Sequence, residues 1–387
     1  MAKFLHTADW HLGKGFHSFS EDEDIRARLR STRFEALDRI GHAARTHGCS
    51  AILVAGDLFH SNEVEDRVLV TALEKIGRMG LPVIAIPGNH DHAGAASIWE
   101  RKRFQKERAS LAPNLVLVTD KVTCLPIDGV DVLVAPVLQR FHQQSLVELA
   151  DVGARDGRPR LGLVHSSTVD FSETGTGRGG LQLIGQEKAS LDYLALGDFH
   201  RRQAVSGIHC EAWYAGTHEP DAFPSHHQDG ERRGGCIVVE LERGRKPVVS
   251  EVDLEGGLRW IRAIRNLRDE ASIDQLLADF DRWIAAGMQT TVCQIDLTGS
   301  RLGLTQRTRL QAELQDRRDR CLALQIEGSV DAEPTDAELE ELRLHGGLVG
   351  SVASRLRAKI AQSPESTHRE RLALSRLHEL VTRGGIR

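Results

Sequence analysis

Five short apolar runs in this chain each stop on residues that bind hard or borderline metal ions, and this repeated grammar constrains the fold more than any other feature. The runs are KFLHTADWH from Lys3 to His11, AILVAGDLFH from Ala51 to His60, VIAIPGNHDH from Val83 to His92, LGLVH from Leu161 to His165, and YLALGDFH from Tyr193 to His200. Each begins with residues suited to a buried strand and then ends on Asp, Asn or His, the third breaking at Pro87 and Gly88. Recurring in order between Lys3 and His200, they predict strands side by side in one sheet whose ends empty into one crevice.

Between these runs the pattern is helical, so residues from Ala2 to about Gly257 read as an α/β layer fold. A helix is expected from Asp22 to Thr46, with Ile25, Leu29, Phe34, Leu37 and Ile40 near helical spacing, and another over Arg67 to Met79. A basic helix is expected from Ile98 to Arg108. Its Arg101, Lys102, Arg103 and Lys106 read either as a solvated face or as contacts to a DNA backbone. Two short strands, Leu115 to Thr119 and Asp131 to Ala135, mark where a second sheet is expected to begin. Phe171 to Gly180 is Gly-rich without the Lys-Ser or Lys-Thr of a phosphate loop, and reads as a mobile loop. Thr217 to Gly235 reads as a long polar loop between strands at Glu211 to Ala215 and Cys236 to Leu241. It carries His218, His226 and His227, the latter pair read as solvent-exposed.

The grammar changes near Gly256 and Gly257. A helix (272–286), a strand (290–297), a second helix (305–321) and a strand (322–327) suggest a small α/β module with its own core. A break at Asp331 to Pro334 leads into helices over 335–344, 347–361 and 366–382. The expected domains are therefore 1–257, 258–330 and 331–387. The last two helices carry apolar stripes, Val349, Val352, Leu356 and Ile360, then Leu372, Leu377, Leu380 and Val381. These stripes pack on their own domain or dock on a partner coiled coil.

Composition closes off several classes. A chain of 387 residues buries a core large enough to need no disulfide staples, and its six cysteines form no CxxC pair, which fits a reducing cytoplasm. The apolar run at the N-terminus is too short for a signal peptide, and no stretch approaches the roughly 18 apolar residues that span a bilayer, so no membrane partner is expected. The formal net charge is −5, with 20 Lys and Arg against 19 Asp and Glu from residue 258 onward, so any nucleic-acid contact must be local. Bound divalent cations would reverse the sign where the acids cluster.

The ligand-type residues suit phosphoester chemistry. Hydrolysis of a phosphodiester builds charge on the equatorial and leaving oxygens, and two divalent ions about 3.5–4 Å apart both clamp the phosphate and acidify water. Asp9 and His11, at i and i+2, can reach one ion; Asp57, on a tight corner after its strand, suits a bridge. Asn89 offers a carbonyl oxygen, and His165, Asp198 and His200 complete the inventory, leaving His90 for the leaving oxygen.

DxH, GD, GNHD, a lone His and a final GxxH-type element, in this order, resemble the calcineurin-like metallophosphoesterase superfamily over about residues 3–241. FLHTADWHLG, AGDLFH and PGNHD are similar to the SbcD-type DNA double-strand-break repair nucleases. The resemblance implies a four-layer α/β/β/α sandwich, two Mn²⁺ ions (Mg²⁺ being the alternative), and exo- and endonuclease activity on DNA. It further implies a capping domain, and terminal helices docked on the coiled-coil base of an SMC-like ATPase. By this resemblance Asp9, His11, Asp57 and His200 hold the first metal and Asp57, Asn89, His165 and Asp198 the second. His90 is then the transition-state histidine, and His60 orients it. The family's last motif is usually GHxH, whereas Gly197-Asp198-Phe199-His200 stands here, and Asp favours a hard cation with a shorter reach. Two other readings remain: a small-substrate phosphomonoesterase or phosphodiesterase, and a catalytically weak subunit that binds DNA ends or an ATPase. Homodimerisation is left open.

Overall fold

The computed structural model describes residues 1–19, 22–140, 144–153, 156–167, 180–181, 186–332, 335–362 and 368–382. The chain divides into two units, one of Met1–Asp221 with Arg233–Leu258, the other of Ala222–Arg232 with Arg259–Arg387.

In the first unit, strands β1 (Ala2–Thr7), β2 (Ala51–Val54), β3 (Val83–Ala85) and β4 (Leu115–Leu117) are connected through helices α1 (Glu23–Thr46), α2 (Asp66–Arg78) and α3 (Lys102–Leu111). A second group follows: β5 (Thr123–Ile127), β6 (Val130–Ala135), β7 (Arg160–His165), β8 (Tyr193–Gly197), β9 (Gln203–Ala204) and β10 (Glu211–Tyr214). After β11 (Gly230–Arg233), strands β12 (Gly235–Leu241) and β13 (Val248–Asp253) return to the first sheet, whose order is β13-β12-β1-β2-β3-β4. The second sheet runs β5-β6-β7-β8-β10-β9. Strands β1 to β4 are mutually parallel, as are β6, β7, β8 and β10. Each group therefore brings its carboxyl ends to one edge.

The runs are continuously apolar because both faces of each strand are covered. On the outer face of the first sheet, Leu5, Ile52, Val54 and Val83 pack with Leu37 and Ile40 of α1, Leu73 of α2 and Phe104 of α3. On the inner face, Phe4, Leu53 and Ile84 meet Val132, Val134, Leu161 and Tyr193 of the second sheet. The outer face of that sheet, Leu133, Val164 and Leu194, packs with Leu146, Leu149 and Ala189. Among the described residues that fourth layer consists of the 3₁₀ turns Leu146–Asp151 and Gln186–Ala189 rather than α-helices. Helix α1 starts at an Asp22 cap whose carboxylate accepts from the Ile25 amide at 3.0 Å.

Between the sheets lies a buried polar residue, His6. Its Nε2–H donates to the Leu196 carbonyl at 3.2 Å, so Nδ1 accepts from the Tyr193 hydroxyl at 3.0 Å. Burial holds this imidazole neutral, its pKa lowered to about 3.

Three further expectations differ from the structure. Leu115–Leu117 belongs to the first sheet, not the second, because α3 returns the chain to lie parallel beside β3. The basic helix is broken. Ile98–Glu100 is a 3₁₀ turn with Ile98 and Trp99 buried, Arg101 takes an extended ψ of 129°, and α3 begins at Lys102. The 217–235 loop contains β11, although His226 and His227 are exposed as expected. The Gly-rich stretch lies outside the described residues except for Gly180, which bridges Ser167.

The second unit is built on β14 (Arg259–Arg265), α4 (Glu270–Ala285), β15 (Thr291–Leu302), α5 (Leu304–Arg318) and β16 (Ala323–Ala332). The three strands are parallel, and β11 extends their sheet beside β14. Ile261, Phe280, Ile295, Leu310 and Leu324 form its core. Helices α6 (Asp336–Leu344), α7 (Gly347–Gln362) and α8 (His368–Thr382) share a smaller core of Leu342, Val349, Ala353 and Leu374, with Leu356, Ile360, Leu377 and Val381 at its margin. Leu344, Leu348, Leu372 and Leu380 stay exposed. Among the described residues no helix is long and apolar enough to cross a membrane.

Candidate metal centre

The carboxyl ends of β1, β2, β3, β7 and β8 supply the side chains picked out by the sequence. Loops after β1 and β2 run together: the Asp9 amide donates to the Gly56 carbonyl at 3.1 Å and the His11 amide to the Asp57 carbonyl at 2.9 Å. The turns are tight enough that Asp9, His11, Asp57 and Asp198 all take left-handed φ values of 53°, 41°, 53° and 84°. Two glycines make the convergence sterically feasible. A Cβ on Gly88 would lie 2.1 Å from Asp57 Oδ1, and one on Gly197 would lie 1.9 Å from the Ala55 carbonyl oxygen.

Asp57 sits centrally. Its Oδ1 accepts from the His90 amide at 2.9 Å, while Oδ2 lies 3.6 Å from His11 Nε2 and 3.5 Å from His165 Nε2. His165 Nδ1–H donates to the Ala55 carbonyl at 2.8 Å, which leaves Nε2 as the free lone pair, 3.8 Å from Asp198 Oδ1. Asp198 accepts from the Asn89 side-chain amide at 2.9 Å and so turns the Asn89 carbonyl oxygen away from itself. The Asp198 backbone amide in turn donates to Asp9 Oδ1 at 3.1 Å. His11 Nε2 and His200 Nε2 stand 3.1 Å apart. The structure thus brings together all seven expected ligands, Asp9, His11, Asp57, Asn89, His165, Asp198 and His200.

His90 and His60 adjoin them. Their rings stack at 5.3 Å, and the His90 ring lies 4.7 Å from that of His11. The orienting contact is made by the backbone of His60 rather than its imidazole: His90 Nδ1–H donates to the His60 carbonyl at 2.9 Å. Burial lowers the pKa of His90, and lowers that of His60 to about 4.

The donor set fits divalent cations. Asp9 Oδ2, Asn89 Oδ1 and His165 Nε2 are buried atoms without a hydrogen-bond partner among the described residues, a costly arrangement unless something else binds there. Ligand-capable atoms of Asp9, Asp57 and His165, and of Asp9, His11 and His200, lie within 4.8 Å of one another. Burial pushes the Asp9 and Asp57 carboxyls up. Burial acts downward on His165, but Asp57, Asp198 and Asp9 outweigh it and raise its pKa to about 9, so without a cation Nε2 holds a proton, which a bound cation would displace. Oxygen and imidazole donors together suit a hard or borderline divalent ion better than a soft one.

Three residues that sequence pattern alone does not assign hold this centre in place. Asp91 is buried, and its carboxylate accepts from the Gly88 amide at 2.7 Å and the Phe59 amide at 2.9 Å, clasping two ligand loops. The Arg33 guanidinium, buried on α1, donates to the carbonyls of Asp9 at 3.1 Å and Trp10 at 2.7 Å. Asp221 Oδ2 lies 3.0 Å from His200 Nδ1 and 2.6 Å from Lys14 Nζ. The GNHD string flags Asp91 as a polar residue, whereas nothing periodic marks Arg33 or Asp221.

The basic residues separate. Arg101 is committed to the carbonyls of Asn62 and Val64. Lys102, Arg103 and Lys106 are exposed on α3, Arg103 pairing with Glu107 at 3.1 Å.

The region that carries these residues is similar to known proteins. The calcineurin-like phosphoesterase family model matches residues 2–236. The SbcD component of the SbcCD nuclease from Bacillus subtilis strain 168 is 32% identical over 324 residues, covering 73% of this chain and 78% of that protein. Its counterpart from Escherichia coli strain K12 is 26% identical over 259 residues, covering 57% of this chain and 61% of that protein. The DNA double-strand break repair protein Mre11 of Methanopyrus kandleri is 25% identical over 304 residues, covering 71% of this chain and 64% of that protein. The chain therefore spans less than two thirds of the length of several relatives that it matches. The family match begins at β1 and takes in every strand end that feeds the crevice, and with it the chain belongs to the calcineurin-like phosphoesterase family.

Proposed function

We propose that the chain is a metal-dependent DNA nuclease that hydrolyses phosphodiester bonds in end processing or repair. The carrying observation is the convergence of Asp9, His11, Asp57, Asn89, His165, Asp198 and His200 around buried, partnerless donor atoms. Relatives named as nuclease components and as a DNA double-strand break repair protein support DNA as the substrate. In this reading Asp9, His11, Asp57 and His200 hold one cation, and Asp57, Asn89, His165 and Asp198 the other, most simply Mn²⁺ with Mg²⁺ as substitute. When bound, such a pair neutralises the phosphate oxygens and acidifies the attacking water.

The side chains divide the remaining work. Asp57 presents one oxygen to both sets of donors while its other oxygen is fixed by the His90 amide. His90, held through Nδ1–H by the His60 carbonyl, offers Nε2 to the leaving oxygen, where it accepts a proton when neutral and delivers one only as the imidazolium. Lys102, Arg103 and Lys106 on α3 supply exposed positive charge for a DNA backbone. Of the stripes on the last two helices, Val349, Leu356, Ile360, Leu377 and Val381 pack in the helices' own core, and Leu372 and Leu380 are left exposed for an SMC-like coiled-coil ATPase. A reducing compartment such as the cytoplasm goes with the six free cysteines.

One observation favours a weaker enzyme as the second reading. Asp198 stands where the family's His is usual and spends an oxygen on the Asn89 amide. The test is to incubate the chain with Mn²⁺ and end-labelled linear DNA, and in parallel with p-nitrophenyl phosphate. DNA cleavage abolished by chelator is expected. Phosphatase turnover without DNA cleavage would favour a small-substrate phosphoesterase, and DNA binding without cleavage under any metal would favour a non-catalytic DNA-binding role.

A further inference from the structure

The segment 217–221 has no apolar periodicity, yet it is pinned along its length. Thr217 bridges Ala8 beside β1. His218 Nε2–H donates to the Arg33 carbonyl at 2.9 Å, and Arg33 donates back to the Glu219 carbonyl at 2.8 Å. The buried Glu219 carboxylate pairs with Arg39 and accepts from the Leu258 amide at 2.6 Å. At the end of this strap comes Asp221, its side chain 1% exposed. Asp221 Oδ2 takes both His200 Nδ1–H and Lys14 Nζ, while Oδ1 has no hydrogen-bond partner among the described residues.

His200 needs such a hold. Its side chain is 34% exposed, so packing alone does not fix the ring, and an imidazole offers a cation whichever nitrogen the other bond leaves free. A carboxylate on Nδ1 fixes that choice, directs Nε2 toward His11 and Asp9, and makes Nε2 a stronger donor. Lys14 supplies the countercharge that lets a buried carboxylate remain there.

We propose that Asp221, carried on the 217–221 strap and balanced by Lys14, is the positioning residue that makes His200 Nε2 a metal ligand. The inference rests on the two-metal reading above. Calorimetric titration of Mn²⁺ into the metal-free chain of 387 residues tests it. Wild type is expected to take up two ions. Asp221→Ala should weaken one site by about 10–100-fold and leave the other within twofold, matching the site that His200→Ala removes. Asp221→Asn keeps the shape and an acceptor but not the charge. It should weaken the same site by about tenfold, and it decides the matter where the alanine variant fails to fold. Asp221→Glu should recover part of the loss. Uptake by Asp221→Asn within twofold of wild type at both sites would overturn the inference while leaving two-metal binding intact. Equal weakening of both sites would do the same. Wild type binding no Mn²⁺ would remove the two-metal reading and this inference with it.

Discussion

Replacing Asp91 by Ala removes the clasp between the β2 and β3 loops. Two backbone amides, Gly88 at 2.7 Å and Phe59 at 2.9 Å, lose a charged acceptor in a site where Asp91, Gly88 and Phe59 are all buried. A hydrogen bond to a charged group is worth about 1.5–3 kcal/mol, so the pair sets the loss at about 3–6 kcal/mol. That is a large share of the roughly 5–15 kcal/mol that holds a domain folded. Asp91→Asn keeps one carbonyl acceptor but turns an NH₂ toward the second amide, so about half of that loss is expected. Urea denaturation followed by the fluorescence of the five tryptophans measures both values. Mn²⁺ titration of the folded fraction then shows whether the ligand loops have parted. A cost below about 1 kcal/mol for Asp91→Ala would refute the clasp, because it would mean that water or backbone shifts satisfy both amides.

Other outcomes follow from the same geometry. His90→Ala should retain Mn²⁺ uptake within twofold of wild type and lose about 10²–10⁴-fold in DNA cleavage, measured by single-turnover assay on end-labelled DNA. His6 is neutral when folded and has a pKa lowered to about 3 against 6.5 when unfolded, so the unfolded chain takes its proton first as pH falls. Its contribution is complete above pH 6.5 and is lost on descent toward pH 3. Wild type should therefore lose about 2 kcal/mol more than His6→Gln between pH 7 and pH 5 in urea melts. Neutralising Lys102, Arg103 and Lys106 together should weaken DNA binding and reduce the slope of log affinity against log salt by about 2–3. Arg101→Ala should lower stability and leave that slope unchanged, since its guanidinium serves the carbonyls of Asn62 and Val64.

The metal-ligand candidates were legible because parallel strands buried on both faces write themselves as apolar runs, and the Asp, Asn or His on which each run ends lies at the edge of the sheet. Helix α1 was legible for a similar reason, the apolar stripe of Ile25, Leu29, Phe34, Leu37 and Ile40, whereas its Asp22 cap emerged only with the structure. What escaped depends on contacts that carry no local signal. Asp221 meets Lys14 across 207 residues, and Arg33 looks like any surface arginine on α1 until its carbonyl partners are known. Strand β14, RWIRAIR, puts arginine at every third position, and Arg262 is buried against Asp296 at 2.6 Å, so polarity hid an interior strand. The stretch from Ile98 read as one basic helix carrying both Trp99 and Phe104. They are instead buried from a 3₁₀ turn and an α-helix separated by Arg101.

The left-handed backbone at Asp9, His11, Asp57 and Asp198 has a thermodynamic sequel. Such a conformation costs about 1–3 kcal/mol per non-glycine residue, so four of them gathered at one rim approach the free energy that folds a whole domain. In the two-metal reading proposed above, cations held by these side chains would repay the cost by mass action. The ions thereby act as a latch on the native state as well as reagents. Chelation should loosen the crevice before it loosens the sheets, and the protein's resistance to heat should track the free metal concentration around it.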